Sequence, residues 1–179
     1  MTVSSSVFVA ALALGAAVAL GAGGCSSTPD TIADAGPADA GCQAYVPPAT
    51  LDLTAPVVSL RTDVIPRVFT ASCAFSSCHG GTNNNHGVLL AGDPAEMRAG
   101  LVGAAMDAPA LKLVAPGDPG ASFLMHKIDA DQCTLNASCT GGDCGTSMPQ
   151  ASADTAGPQI ALELRDLVRR WIAQGAADN

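Results

Sequence analysis

Two thiols and an imidazole stand close together in the segment CAFSSCH, from Cys73 to His79. Two cysteines followed at once by a histidine support three kinds of chemistry. The thiols can add across the two vinyl groups of a haem while the histidine takes the iron from one side, an arrangement whose common spacing is C-x-x-C-H. They can close a disulfide beside an unrelated histidine. They can join a further thiolate and the imidazole around zinc. The spacing is two residues wider than C-x-x-C-H, so the segment alone leaves all three open. A second soft donor lies downstream, Met148 in CGTSMPQ. Pro149 follows it, lacks an N–H and stiffens the loop. A thioether sulfur is a soft donor that favours ferrous iron. His86, beside three asparagines, and His126, in a helical stretch, read as solvated side chains. Met97, Met106 and Met125 read as packing residues.

The elements that must position these groups are helical. Asp63 is a candidate cap for a first helix running through Ile65, Val68 and Phe69 into Cys73. Pro66 then falls early enough for a first turn. A short helix is expected over 94–102. APGDPGA reads as a turn, with Ser122 capping a helix through Ile128. Residues 131–157 read as a long loop rich in Cys, Gly and Ser. Ile160, Leu164, Leu167, Val168, Trp171 and Ile172 recur at helical spacing and define an apolar face for a closing helix. Pro158 suits its first turn, Glu163, Asp166, Arg169 and Arg170 lie off that face with an Asp166–Arg170 pair, and Gly175 ends it. No strand is strongly indicated. The expectation is an all-α domain with long loops.

Composition narrows the function. Aromatic residues are only 3% of the 179, too few large side chains for a thick core, so disulfides, a metal or a buried cofactor are expected to help hold the fold. The net charge is −8, with two lysines and six arginines. That balance argues against nucleic acid, whose phosphates need Lys and Arg to replace their counterions. A basic redox partner would suit it. No phosphate loop, nucleophile elbow or H-E-x-x-H sequence is present, and the Ser and Asp residues sit where turns and caps explain them. The chain therefore reads as a carrier more than a catalyst.

Residues 1–24 contain no charged side chain, and Val7 to Leu20 is almost entirely apolar. That run is too short to span a bilayer comfortably and fits the apolar region of a secretory signal. It ends LGAGGC at Cys25. Small residues before a single cysteine resemble the processing site of bacterial lipoproteins, and the resemblance implies that Cys25 is lipidated. Residues 25–56, rich in Ser, Thr, Ala, Asp and Pro, read as a disordered, flexible tether. Cys42 and Tyr45 near its end suggest where the chain joins the fold, and residues 57–179 form the expected domain.

Across that domain the sequence resembles the cytochrome c-like domains of bacterial exported proteins. VIPRVFTASCAFSSCHGG is similar to their first helix and haem-binding segment, LVAPGDPGASFLMHKI to their Pro-Gly-Asp-Pro turn and following helix, CGTSMPQ to the loop of the distal methionine, and LRDLVRRWIAQGA to their C-terminal helix. The wider thiol spacing, known in some members, and the extra cysteines at 133, 139 and 144 depart from the pattern. The resemblance implies one covalent haem c, with Cys73 and Cys78 as thioethers, His79 as proximal ligand and Met148 as distal ligand. It implies an electron-transfer protein that exchanges electrons with redox partner proteins, lipid-anchored at the periplasmic or outer-membrane face, or at the cell surface.

Seven cysteines become four once Cys25 is assigned to lipid and Cys73 and Cys78 to haem. Cys42, Cys133, Cys139 and Cys144 then have three possible connectivities. Each joins Cys42 to the 133–144 loop and pairs the other two. Two other functions stay open: a haem-free, disulfide-stapled structural or binding module, and a sensor or enzyme with five-coordinate haem.

Overall fold

Ser59 begins the first helix. Its hydroxyl accepts the Thr62 N–H at 3.1 Å, and Asp63 reaches back to accept the Ser59 N–H at 3.0 Å. The cap is thus Ser59, not Asp63. In the computed structural model, which describes residues 42–81, 85–152 and 155–179, helix α1 covers Leu60–Cys73. Pro66 therefore lies inside the helix, beyond its first turn. The winding is wide: Val64 N–H bonds the Ser59 carbonyl and Ala74 N–H the Phe69 carbonyl, both five residues back. The wider turn eases the clash of a proline ring with the carbonyl four residues earlier.

Helix α2 covers Pro94–Leu101, capped by Asp93, whose carboxylate accepts the Ala95 and Glu96 N–H groups. Helix α3 covers Phe123–Asp129. The fully buried Ser122 before it donates to the Asp118 carbonyl at 2.8 Å and accepts the Ala115 N–H at 2.9 Å. Its hydroxyl thus ties the APGDPGA turn to the helix start. Helix α4 covers Leu162–Ala173, starting later than Pro158, and Gly175 follows with φ 97°. Short 3₁₀ turns fill 85–87, 119–121, 132–138 and 140–142. The fold is helix-dominated, as expected from the sequence. One minor ribbon was not anticipated: β1 (Gln150–Ser152) and β2 (Thr155–Ala156) pair antiparallel directly after Pro149.

α1 and α4 pack together and share the main core. Val64, Val68 and Phe69 from α1 and Leu167, Val168, Trp171 and Ile172 from α4 are all buried, joined by Phe123, Met125 and Ile128 from α3. The apolar face read from α4 is correct, but its charged side is not simply solvated. Arg165 and Arg169 are buried around Asp129 of α3. Arg169 grips both carboxylate oxygens at 2.9 and 3.0 Å, and Arg165 reaches one at 3.1 Å. Burial pushes the Asp129 carboxyl up, and the two guanidiniums oppose it. Asp166 pairs with Arg169 at 3.3 Å rather than with Arg170, which donates to the Asp52 carbonyl. A helical wheel separates charged from apolar residues; it does not show that another helix offers a carboxylate to the charged side.

The segment expected to be tether is held from Cys42 onward. Cys42 is bonded to Cys133. The Tyr45 N–H donates to Asp131 at 2.7 Å, and its ring covers Arg165 and Arg169 at 5.1 and 4.9 Å. Gln174 accepts the Val58 N–H and donates to the Leu53 and Pro56 carbonyls. Residues 1–24, with Cys25 and the rest of the tether up to 41, lie outside the described residues.

Candidate haem site

The CAFSSCH segment folds as a compact loop off the end of α1. His79 N–H donates to the Cys73 carbonyl at 3.1 Å, while Cys78 and Gly80 N–H groups both donate to the Phe75 carbonyl at 2.9 Å. The two extra residues are thus taken up in a turn that brings His79 back to Cys73. Gly80 and Gly81 are required by this return. A Cβ at Gly80 would run into the Ala74 carbonyl oxygen, and one at Gly81 into that of Ser76. The chain then pairs Leu90 N–H with the His79 carbonyl at 2.7 Å.

The His79 ring is oriented by a backbone carbonyl. Its Nδ1 lies 3.1 Å from the Val88 oxygen, a contact that requires Nδ1 to carry the proton. In a neutral ring this places the lone pair on Nε2.

Cys73, His79 and Met148 line a single cavity of about 850 Å³. Its walls include Leu90, Leu113, Phe123, Leu124 and Ile128. The volume is within the range of small-molecule and cofactor sites, and the walls are mixed, the apolar side chains being joined by polar and charged ones such as Asp107, Lys127 and Asp143. Burial pushes the Cys73 thiol up to about 12, so it stays protonated at neutral pH. Cys73 is the free cysteine among the described residues. Cys78 is buried and not among the residues lining the cavity. Its sulfur is held in a disulfide.

The loop carrying Met148 is anchored at several points. Cys139 is bonded to Cys144, so both cysteine pairs satisfy the pairing rule read from the sequence. The Lys127 ammonium donates to the Cys144 and Thr146 carbonyls at 2.6 and 2.7 Å. The Met148 N–H donates to the Lys127 carbonyl at 2.8 Å. Gly145 turns the chain over Lys127 with φ 67°. Burial pushes the Lys127 amine down from its usual value. The opposite wall is tied in where the Thr140 N–H bonds the Asp107 carbonyl at 2.7 Å.

One histidine and one methionine differ from expectation. His126 is not a solvated residue: Nδ1 lies 2.8 Å from Asp131 and Nε2 3.0 Å from the Gly120 carbonyl. The cause is Ala130, whose φ of 61° ends α3 and folds Asp131 back under the helix. Only the doubly protonated ring satisfies both acceptors, and the Asp131 hydrogen bond raises its pKa. His86 is exposed as expected, but it lines the cavity and pairs with Asp107 at 2.9 Å. Met106 is 63% exposed at the same cavity, whereas Met97 and Met125 are buried packing residues. Among the described residues no three His, Cys, Asp or Glu side chains come together to hold a metal ion, so nothing there supports a zinc site.

A second cavity of about 330 Å³ lies where Leu51, Pro56 and Val57 meet Asp63, Arg67 and Glu163; it contains no sulfur or imidazole group. No family model, curated protein or solved structure matches this chain.

Proposed function

We propose that this protein is an exported, lipid-anchored electron-transfer protein that carries one covalent haem c. Cys73 and Cys78 would be its thioether sites, and His79 and Met148 its two axial ligands. The observation that carries the reading is the shared cavity. Three of these residues arrive from the end of α1, the turn behind it and the loop after Cys144, yet they line one cavity. The Nδ1 contact to the Val88 carbonyl orients the His79 ring, as a partner on the non-ligating nitrogen of a metal-bound histidine does. When bound, a haem supplies a one-electron couple, and thioether ligation raises its potential. The chain's part would be to hold the iron through His79 and Met148 and to enclose the group with side chains such as Leu90, Leu113, Phe123 and Leu124. The acidic surface suits a basic redox partner, and the N-terminal segment ending at Cys25 suits a membrane anchor.

One observation favours a second reading. The disulfide at Cys78 is incompatible with a thioether at the same sulfur. A haem-free, disulfide-stapled binding module would use the same cavity for another apolar ligand. Haem staining of a denaturing gel and the intact mass of the exported protein separate the two. Under the proposal, haem migrates with the chain and is lost from Cys73→Ala and Cys78→Ala variants. An unstained wild-type chain, with Cys78 recovered in a disulfide peptide, establishes the second reading instead.

A further inference from the structure

Lys127 is the residue from which the Met148 loop hangs. It lies in the last turn of α3, partly buried, with its ammonium 5.5 Å from the centre of the Phe123 ring. The side chain donates to two loop carbonyls, those of Cys144 and Thr146, and the main chain accepts the Met148 N–H. One residue thus engages alternate positions 144, 146 and 148. Bonds from a charged donor are shorter and stronger than neutral ones, and those to Cys144 and Thr146 are among the short ones in the site.

Other restraints on this stretch stop short of Met148. The Cys139–Cys144 bond closes a ring that ends four residues before it. Gln132 donates to the Gly145 carbonyl at 3.0 Å, and Asp143 accepts the Gly145 N–H at 2.8 Å. Gln150 donates to the Thr146 hydroxyl at 2.5 Å, which links the loop to its own continuation in β1. Among the described residues, Lys127 belongs to a core helix and reaches the stretch on either side of 145. It also lines the cavity alongside Met148.

From this geometry we infer that Lys127 is a positioning residue for Met148: by holding the 144–148 backbone against α3, it keeps the thioether sulfur at the cavity as an axial ligand. The inference rests on the haem reading above. Lys127 does not touch the iron; it acts through the loop.

The test compares exported wild-type protein with Lys127→Met and Lys127→Gln, using Met148→Ala as the limit in which the sulfur is gone. Haem staining and helix content are measured first, then the sulfur-to-iron charge-transfer absorption of the oxidised protein and its affinity for imidazole. Lys127→Met is expected to keep its haem and helix content, to weaken the sulfur band, and to bind imidazole about tenfold more tightly. Lys127→Gln, with a shorter neutral donor, moves both readouts in the same direction if the other variant does not accumulate. Lys127→Arg, which retains a charged donor, restores them toward wild type. A purely structural role would lower thermal stability and leave band and affinity where they are. Either variant with an unchanged band and unchanged imidazole affinity overturns the inference. An unstained wild-type chain overturns the haem reading itself, a result visible before any variant is compared.

Discussion

Nδ1 of His79 lies 3.1 Å from the backbone oxygen of Val88, nine residues further along the chain. This contact orients the ring from outside the thiol motif and puts a proton on Nδ1. It also makes His79 the residue whose loss has the most specific consequence. His79→Ala is expected to yield a chain that is exported and helical but does not stain for haem. The comparison is a haem-stained gel against total protein and circular dichroism. A stained variant with unchanged absorption would remove His79 from the site.

The disulfides Cys42–Cys133 and Cys139–Cys144 close loops of very different length. Cys42–Cys133 spans 91 positions and Cys139–Cys144 only 5. On the chain-entropy account, loops of these sizes contribute about 4–5 and about 2 kcal/mol respectively. Denaturant unfolding of the Cys42→Ser/Cys133→Ser and Cys139→Ser/Cys144→Ser double variants measures both. The first pair is expected to lower stability more. The reverse order would mean that local strain or residual structure outweighs loop closure here.

Asp129 carries the charge of two buried guanidiniums. Removing one member of a buried ion group leaves the others uncompensated and costs about 3–5 kcal/mol. Asp129→Ala is therefore expected to be the most damaging single change outside the apolar core, with Asp129→Asn also destabilising. Guanidinium unfolding midpoints check this. Replacing Asp129, Arg165 and Arg169 together by apolar residues is expected to cost less than Asp129→Ala alone, because the buried charges then leave together and only the part-exposed Asp166 loses a partner.

His126 links stability to pH. Its hydrogen bond to Asp131 raises the folded pKa above the unfolded value, while burial opposes it. A raised histidine pKa means that the folded state binds more protons in that window. Its contribution is complete below the unfolded value of about 6.5 and is lost as pH rises through the folded one. Thermal midpoints of wild type should therefore fall as pH is raised from about 6.5, and His126→Gln should flatten that slope. A variant with the wild-type slope would assign the pH dependence to another group.

Membrane attachment is tested at the other end of the chain. Cys25→Ser is expected to move the protein from the membrane fraction to the soluble exported fraction, since each buried CH₂ of an acyl chain contributes roughly 0.8 kcal/mol. Fractionation followed by mass analysis of the N-terminal peptide gives the answer. Wild type recovered wholly soluble, without added lipid mass, would end the anchor proposal.

Much of this was legible in one dimension because its causes are local or arithmetical. The closing helix declares itself by periodicity: Leu167, Val168, Trp171 and Ile172 repeat on one face, and all are buried. The turn before α3 is set by Gly and Pro, and the count of cysteines limits the pairings once three are assigned elsewhere. The type and spacing of Cys73, Cys78, His79 and Met148 pick out the same residues as candidates that, Cys78 excepted, the fold gathers around one cavity.

The rest was decided only in three dimensions. No spacing rule places Asp129 between Arg165 and Arg169, because two helices far apart in sequence must pack before the charges meet. The tether's end reads as flexible by composition, yet Cys42 and Tyr45 are held by partners near 131, 133 and 165–169. His126 looks like a surface residue until a single left-handed backbone at Ala130 folds Asp131 beneath it. Lys127 gives no sign in sequence of holding Met148, since the carbonyls it reaches have no side-chain signature. Sequence records which groups can do chemistry; long-range packing and backbone hydrogen bonds determine which of them meet.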